Sequence, residues 1–486
     1  MQLFRQVIFQ ARLREEEPAV ATPSAVISYR TLAKSVEAAL VALGPIERRG
    51  AAAVIDVAQP LHHLYLLLAL GLLGVPTASL VGSGGPLPDT GPAPTLLLTD
   101  ANRGDGGSVA TRRVDQSWFT TDAKRAPNYA RMLALSAPLP GDMVRYLYSS
   151  GTTGRRKCIG YSMDLLSNMV RNTSFLVAGR SAPSAASMCL MDFSTIGGTT
   201  TPFRALTRGG LLCVAPNPAS AIDLIRLFHV EELNASVGQA RMLLDQLRGR
   251  QPLSSLRTLL LSGSRTPLRL LAEIHARLCA DVRLFYGSTE MGIVAIGSGG
   301  VLERQEGSVG YVVPGAEVEI VDETGRPVAP GEEGVIRVRP ERCAPYIGTF
   351  GEELEAPADG WFYPGDVARL APDGVLVISG RAGDVINKGG VIIAPEVIEE
   401  AFRRDPRVKD VAAFSLPGQR GLEEVCVAVV VEEGVNLDAL NEAIGPSLAE
   451  RSPDRILRVA AIPRNENQKI QRFKLREQFA AATPRR

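Results

Sequence analysis

Histidine is scarce in this chain and cysteine is unpaired. Four histidines in 486 residues, and six cysteines (Cys158, Cys189, Cys213, Cys279, Cys343, Cys426) scattered without a C-x-x-C pair, leave no pattern for a zinc site or a disulfide framework. A reducing cytoplasm is the expected setting. Excess charge of one sign is also missing: 53 basic side chains face 52 acidic ones, for a net +1, so neither nucleic acid nor an anionic membrane is the expected partner. The opening "MQLFRQVIFQARLREEEPAV" lacks a secretory apolar core and a cleavage site. Charge disappears altogether between Val57 and Pro88, where "LHHLYLLLALGLLGVPTASLV" has the hydropathy of a membrane span. Gly71, Gly74 and Pro76 interrupt that run and His62 and His63 open it, so it predicts a buried helix followed by a core strand and no membrane span.

What is present is ordinary globular material. Hydrophobic residues at 45% and charged residues at 22% support large buried cores, and the length allows several domains. "SYRTLAKSVEAALVAL" repeats Leu32, Val36, Ala39 and Leu40 on one helical face, and "GSGGPLPDTGPAPT" reads as a surface loop. From Met143 to Tyr286, the apolar runs "VRYLY", "SMCLM", "GLLCVAP", "ASVG", "TLLLSG" and "VRLFYG" predict strands. The amphipathic runs "DLIRLFHVEEL", "ARMLLDQLRG" and "PLRLLAEIHARLC" predict helices between them, hence a parallel sheet covered by helices. Beyond Gly292, "AEVEIVDETGRPVAPGEEGVIRVR" and "GVLVISGR" are strand–turn–strand patterns with "DETG" and "APDG" as turns. After Arg381 a compact pattern follows: helix "APEVIEEAFRRD", strands "VKDVAAFSL" and "EEVCVAVVV", helix "NLDALNEAIGPSL" and strand "RILRVAAIP". The expected class is α/β: a large N-terminal domain over residues 1–381, with a β-rich subdomain at about 293–381, and a small α+β domain over 382–486.

Four segments carry chemistry. "YSSGTTGRRK", Tyr148 to Lys157, follows a predicted strand with two glycines, a run of hydroxyls and three cations. Backbone amides in such a turn form an anion-binding concavity, so a phosphate chain suits it; a solvated turn is the competing reading. It is no Walker loop, because Gly154 is followed by Arg155 and not by the required lysine and hydroxyl pair. "LFYGSTEMG", Leu284 to Gly292, offers Tyr286 as a flat partner for a base, Ser288 and Thr289 as phosphate donors, and Glu290 as a Mg²⁺ carboxylate, or else simply opens a helix. "WFYPGDVARL" presents Asp366 after a Pro-Gly turn, able to accept from vicinal sugar hydroxyls or to act as a turn aspartate. "ISGRAGDVINKGG" brings Arg381 with Gly383, Gly389 and Gly390 as flexible points.

Taken in order, these segments resemble the adenylate-forming superfamily of acyl-CoA synthetases, aryl-CoA ligases, luciferases and peptide-synthetase adenylation domains. "YSSGTTGRRK" is similar to its phosphate loop Y-(S/T)-S-G-(S/T)-T-G-x-P-K, "FYGSTEMG" to its Y-G-x-T-E segment, "YPGD" to its Y-x-(T/S)-G-D segment, and "GRAGDVINKGG" to its G-R-x-D-D-x-I segment. The resemblance implies that Ser149, Ser150, Gly151, Thr152, Thr153, Gly154 and Lys157 cradle the β- and γ-phosphates of ATP. It puts Tyr286 against adenine beside Gly263 and Ser264, within the turn that continues through Gly287 and Ser288. Thr289 then meets the α-phosphate, Glu290 binds Mg²⁺, and Asp366 and Arg381 hold the ribose. Near the C-terminus "NENQKIQRFKL" resembles N-G-K-(I/V)-x-R, which makes Lys469 the catalytic lysine, with Thr152 and Glu290 beside it. The C-terminal domain is expected to be mobile, swinging about a hinge at Gly383, with Gly389 and Gly390 approaching an incoming thiol.

The implied reaction activates a carboxylic acid as its acyl-adenylate with release of pyrophosphate, then transfers the acyl group to CoA. A carboxylic acid is already ionised at neutral pH, so no general base is required, which suits the low histidine count. "LMDFSTIGGTT", "SVGQA" and "GSTEMG" are expected to line the acid pocket through Phe193, Ser194, Thr195, Gly197, Gly198, Gly238, Gln239 and Met291. Amino-acid-activating relatives carry aspartate after that phenylalanine; here Asp192 precedes it and Ser194 follows, which disfavours a free α-amino acid and leaves room for an aryl or medium acyl group. No carrier domain follows Lys469, so a separate carrier protein or an amine are alternative acceptors to CoA, and a small non-carboxylate oxyanion is an alternative substrate. The assembly is expected to be a monomer or homodimer. Three positions depart from the family pattern: Arg156 replaces proline, Cys158 replaces glycine, and Gln468 replaces the glycine before the lysine. A catalytically degenerate nucleotide- or acyl-binding homologue is therefore the alternative of another class.

Overall fold

The computed structural model describes residues 2–46, 52–80, 87, 91–101, 109–120, 122, 124–135, 138–150, 156–177, 185–340, 346–347, 360–384, 386–388, 391–418, 423–464 and 468–480. Most of the expected Gly/Pro loop after residue 81 lies outside these.

The membrane-like run folds as Pro60–Leu73, only 14 residues long, opened by the Gln59 side chain and Pro60 and closed by Gly74 in the left-handed region at φ 71°. It is buried around almost its whole circumference, so the absence of charge reflects enclosure by protein. Thr77–Ser79 follows as a strand paired with Ala53–Asp56 and with Met143–Ser150. No helix among the described residues is long and apolar enough to cross a membrane.

Two large sheets organise the chain. A seven-stranded sheet holds Thr77–Ser79 at its centre, beside Ala53–Asp56, and ends on the hairpin Met143–Ser150 and Arg156–Ser162, with the short strand Tyr346–Ile347 at its edge. A thirteen-stranded sheet has a parallel half, in which Leu212–Cys213, Ser187–Cys189, Glu232–Ser236, Thr258–Ser262 and Val282–Ser288 lie in spatial order. From Gly292–Ser298 onward, pairing in that sheet is antiparallel, through Ser308–Val312, Val375–Arg381, Asp366–Leu370, Gly334–Pro340 and Ala316–Val321. The β-rich segment read from the sequence therefore extends the same sheet. The change of direction falls on the Y-G-S-T-E-M-G turn, and the carboxyl ends of strands at such a switch are where open α/β sheets bind ligands.

Boundaries differ in several places. "ASVG" is strand only to Ser236; that serine caps a helix Val237–Gln246 through a reciprocal box with Gln239, so Val237 and Gly238 are helical. The helix read through "DLIRLFHVEEL" stops at Leu227, and Glu232–Ser236 is strand. Burial of Glu232 against the guanidinium of Arg204 gives that carboxylate a core partner no helix surface would supply. "RILRVAAIP" is strand only over Arg455–Arg458.

The C-terminal segment builds a three-stranded sheet from Val408–Pro417, Glu423–Val431 and Arg455–Arg458. Alternation along its strands separates two apolar layers. Val411, Ala413, Val425, Val427 and Val429 pack under helices Pro395–Arg403 and Leu437–Leu448. Ala412, Phe414, Leu416 and Cys426 pack with Leu475 of helix Arg472–Ala480.

Candidate active site

Tyr286 lies near the end of strand Val282–Ser288, and its hydroxyl donates to Asp366 Oδ2 at 2.7 Å. Asp366 opens strand Asp366–Leu370 and faces Arg381 in antiparallel register, with Arg381 Nε at 2.9 Å from its Oδ1. A carboxylate has about four lone-pair sites, so one donor on each oxygen leaves capacity for two further hydroxyl donors. Burial, and then the negative charge of Asp366, push the Tyr286 phenol far up, so it stays a donor at any working pH. Tyr286→Phe is expected to weaken nucleotide binding by about 0.5–1.5 kcal/mol, roughly two- to twelvefold, measured as ATP affinity by calorimetry.

Lys469 arrives from the far end of the chain. Burial holds its ammonium below the usual lysine range; Arg381 pushes it further down, while Asp366 and Asp384 oppose that. The lysine is thus within electrostatic reach of the Asp366–Arg381 pair. Its neighbour Gln468 is held by Arg464, whose Nη1 donates to the Gln468 carbonyl at 2.8 Å while its Nη2 grips Asp410 Oδ1, also at 2.8 Å.

The Thr289–Glu290 turn is tight. Gly287 sits at a bulge, where a Cβ would come 2.0 Å from the Gly292 carbonyl oxygen, and Gly292 takes φ 69°. Ser288 Oγ accepts from the backbone of Glu290 at 3.3 Å and Met291 at 3.4 Å, so that hydroxyl shapes the turn. Tyr161, missed by sequence reading, donates to the Thr289 carbonyl and pins the turn to the phosphate-loop hairpin. Burial, then the charge of Glu290, push the Tyr161 phenol up. Gly263 (φ 93°) and exposed Ser264 follow strand Thr258–Ser262, with open space where a Gly263 Cβ would lie.

Of the phosphate loop, Ser149 and Ser150 end one strand, in register with Lys157 and Arg156 of the next. Gly151, Thr152, Thr153, Gly154 and Arg155 lie outside the described residues, as do Gly389 and Gly390. Gly383 is outside the left-handed region, with nothing near a prospective Cβ.

The expected acid-pocket residues divide. The Phe193 ring stacks on buried His63 at 4.7 Å, and its carbonyl accepts from Arg145 Nη2 at 2.7 Å. Arg145, fully buried on the strand that leads into the phosphate loop, also donates to Thr77 Oγ1 and Ser79 Oγ. Burial lowers it to about 10, and burial with the Arg145 charge lowers His63 to about 3, so the imidazole is neutral. Asp192 accepts from the Ser194 amide at 2.7 Å, and Thr195 caps helix Ile196–Thr207. A Cβ at Gly198 would meet the Asp192 carbonyl oxygen at 1.9 Å, and one at Gly197 the Met191 Cε at 2.2 Å. These glycines allow close backbone packing. Gln239 completes its cap and donates to the Leu190 carbonyl at 2.7 Å.

Met291 does border a cavity of about 430 Å³, lined also by Tyr161, Leu165, Met169, Ile293, Val313 and Glu290, with Asn168, Arg171 and Asn172 among its polar residues. The signal for it was the amphipathic helix Met163–Val177 directly behind the phosphate loop.

The fold is shared by solved structures. The o-succinylbenzoate CoA synthetase of Bacillus subtilis, in complex with its acyl-adenylate intermediate, superposes with a TM-score of 0.81 at 20% identity, over 97% of each chain. ATP-bound MatB from Rhodopseudomonas palustris gives 0.82 at 21% identity, over 98% of each chain. The family profile described as AMP-binding enzyme matches residues 91–344, and the chain belongs to that family. Among curated relatives, it is similar to the indoleacetate–CoA ligase of Aromatoleum aromaticum, 29% identical over 69% of this chain and 67% of that protein. The medium-chain fatty-acid–CoA ligase of Escherichia coli is 26% identical over 69% of this chain and 61% of that protein.

Proposed function

We propose that the protein activates a carboxylic acid with ATP, forming the acyl-adenylate and releasing pyrophosphate, and then passes the acyl group to CoA. The observation that carries this reading is the Tyr286–Asp366–Arg381 cluster at the strand ends, whose charges reach Lys469. Two anions must meet for the carboxylate to attack the α-phosphorus, so positioning and charge neutralisation are the catalytic needs. Asp366 and Arg381 would hold the ribose, Tyr286 would face the adenine, and Lys469 would bridge the carboxylate and the α-phosphate. The Ser149–Lys157 turn would take the departing phosphates.

Magnesium fits the donor set. Among the described residues, no group of three or more metal-binding side chains exists. Mg²⁺ carried by a polyphosphate needs only one or two carboxylates, and Glu290 is half-buried at the turn. When bound, the ion would neutralise phosphate charge.

The cavity beside Glu290 would take the acid. Its volume and apolar walls suit an aryl or medium-chain acyl group, with Asn168, Arg171 and Asn172 available to a distal polar substituent. The names of the relatives, which act on indoleacetate and on medium-chain fatty acids, support that class. Carrier-protein and amine acceptors remain secondary readings. The former is favoured by similarity to the salicyl-AMP ligase / salicyl-S-ArCP synthetase of Mycobacterium tuberculosis, 29% identical over 71% of this chain and 62% of that protein.

The test is ATP–pyrophosphate exchange with indole-3-acetate, salicylate, octanoate and malonate, followed by product mass with and without CoA. Exchange with at least one apolar acid is expected; none with any acid removes the reading in favour of a nucleotide-binding homologue. Met169→Trp, which fills the cavity from one wall, is expected to lower kcat/KM for octanoate by roughly 10–200-fold, the cost of about 1–3 kcal/mol of lost apolar contact. Unchanged selectivity would place the acid elsewhere.

A further inference from the structure

Gln468 stands in the left-handed region at φ 62°, a conformation costly for any residue with a Cβ. Glycine would hold that backbone without strain, so a side chain kept there has to do something. Its Cβ and Cγ lie against Gly238: a Cβ built on Gly238 would come 2.2 Å from Gln468 Cβ and 3.0 Å from Cγ. The side chain thus occupies the space left by a missing methyl across the junction of the two lobes.

The socket is rigid. Gly238 sits in the first turn of helix Val237–Gln246, whose capping box is closed by Ser236 and Gln239, and Gln239 is tied in turn to Leu190. The plug is also held. Arg464 binds the Gln468 carbonyl and the Asp410 carboxylate together, and Arg464 pairs with Ile470 across a β-bridge that encloses Lys469. One further contact joins the same surfaces: Arg269 Nη1 donates to the Arg403 carbonyl at 3.3 Å.

We infer that Gln468 is a positioning residue: seated in the notch at Gly238, it fixes the register of the lobes in which Lys469 faces the Asp366–Arg381 pair. This rests on the adenylation reading for its consequence, but the contact itself is testable without any acid. The strained backbone contributes as well, since the left-handed residue stands immediately before Lys469 and two before the Ile470 end of the bridge.

The experiment uses the full chain. Hydrogen exchange in the presence of MgATP is expected to be slower for the amides of helix Val237–Gln246 in the wild type than in Gln468→Gly, because the plug that seats on Gly238 is lost. Equal protection in the two overturns the inference while leaving the role of Lys469 to be judged separately by Lys469→Ala. Gly238→Ala places a methyl in the notch and is expected to lower kcat for pyrophosphate exchange at least tenfold, with little change in the KM for ATP or in thermal midpoint. Gln468→Gly should cost less, about three- to tenfold, and should make Gly238→Ala nearly silent in the double variant. Additive losses would mean that the two residues act independently and would also overturn the proposal.

Discussion

Lys469→Ala is expected to lower adenylate formation by about 10²–10³ while ATP still binds, the loss typical of one removed charge-stabilising contact, about 2.7–4 kcal/mol. The ammonium sits where burial and Arg381 disfavour its charge and Asp366 and Asp384 favour it. Without substrate its folded pKa is therefore depressed. A neutral lysine is relatively favoured in that pocket, so its burial costs most below the folded pKa and is relieved as pH rises through it. Arriving triphosphate and carboxylate reverse the balance, because they supply negative charge that the ammonium can offset. The variant should thus keep the ribose contacts of Asp366 and Arg381 and lose only the stabilisation of the reacting centre. Calorimetry for ATP and pyrophosphate exchange for the chemical step separate the two. Exchange at the wild-type rate would remove Lys469 from the mechanism and leave the ribose pair as a binding site only.

Strand ends were legible in the sequence and the walls of the cavity were not, for a physical reason. Tyr286, Asp366 and Arg381 occur at strand ends, where period-2 patterning fixes the strand and the turn residues fix its end; their convergence follows from sheet register. The cavity beside Met291 depends on packing between the helix Met163–Val177 and the turn around Gly292, partners about 120 residues apart that no local pattern connects. Close packing at glycine is hidden in the same way: Gly197, Gly198 and Gly238 were expected to line the acid pocket, and a methyl on each would strike Met191, the Asp192 carbonyl and Gln468 respectively.

Two departures from the family pattern share one form. Cys158 replaces a glycine, and its Sγ would lie 2.5 Å from a Cβ on Gly91; Gln468 replaces another, opposite Gly238. In each case a side chain added at one position is matched by its absence at a partner distant in sequence.

Arg472→Met is expected to destabilise the C-terminal lobe by about 3–5 kcal/mol, the cost of stranding buried charge. Arg472 is 7% exposed and donates to the Ala413 carbonyl at 2.9 Å, Glu399 at 2.7 Å, Glu396 at 3.0 Å and Asp384 at 3.2 Å. Burial raises the Glu396 carboxyl; at Glu399 the combined charges of Arg472 and Arg403 outweigh burial and hold it low. The depressed Glu399 contributes stability above its unfolded pKa, and that contribution is lost as pH falls through its folded value. Removing Arg472 turns both glutamates into raised groups, whose penalty is present at neutral pH and vanishes once they protonate. The gap between variant and wild type should therefore be widest near neutrality and narrow toward acid pH, followed by denaturant unfolding across that range. Glu399→Gln added to Arg472→Met should recover part of the loss, since it removes a stranded charge. A gap that stays constant with pH would show that the guanidinium acts by packing alone. Asp384 lies three residues beyond Arg381 and Lys469 three before Arg472, so the cluster ties the lobe's entry strand to its catalytic end. The same substitution is expected to depress exchange in whatever fraction remains folded.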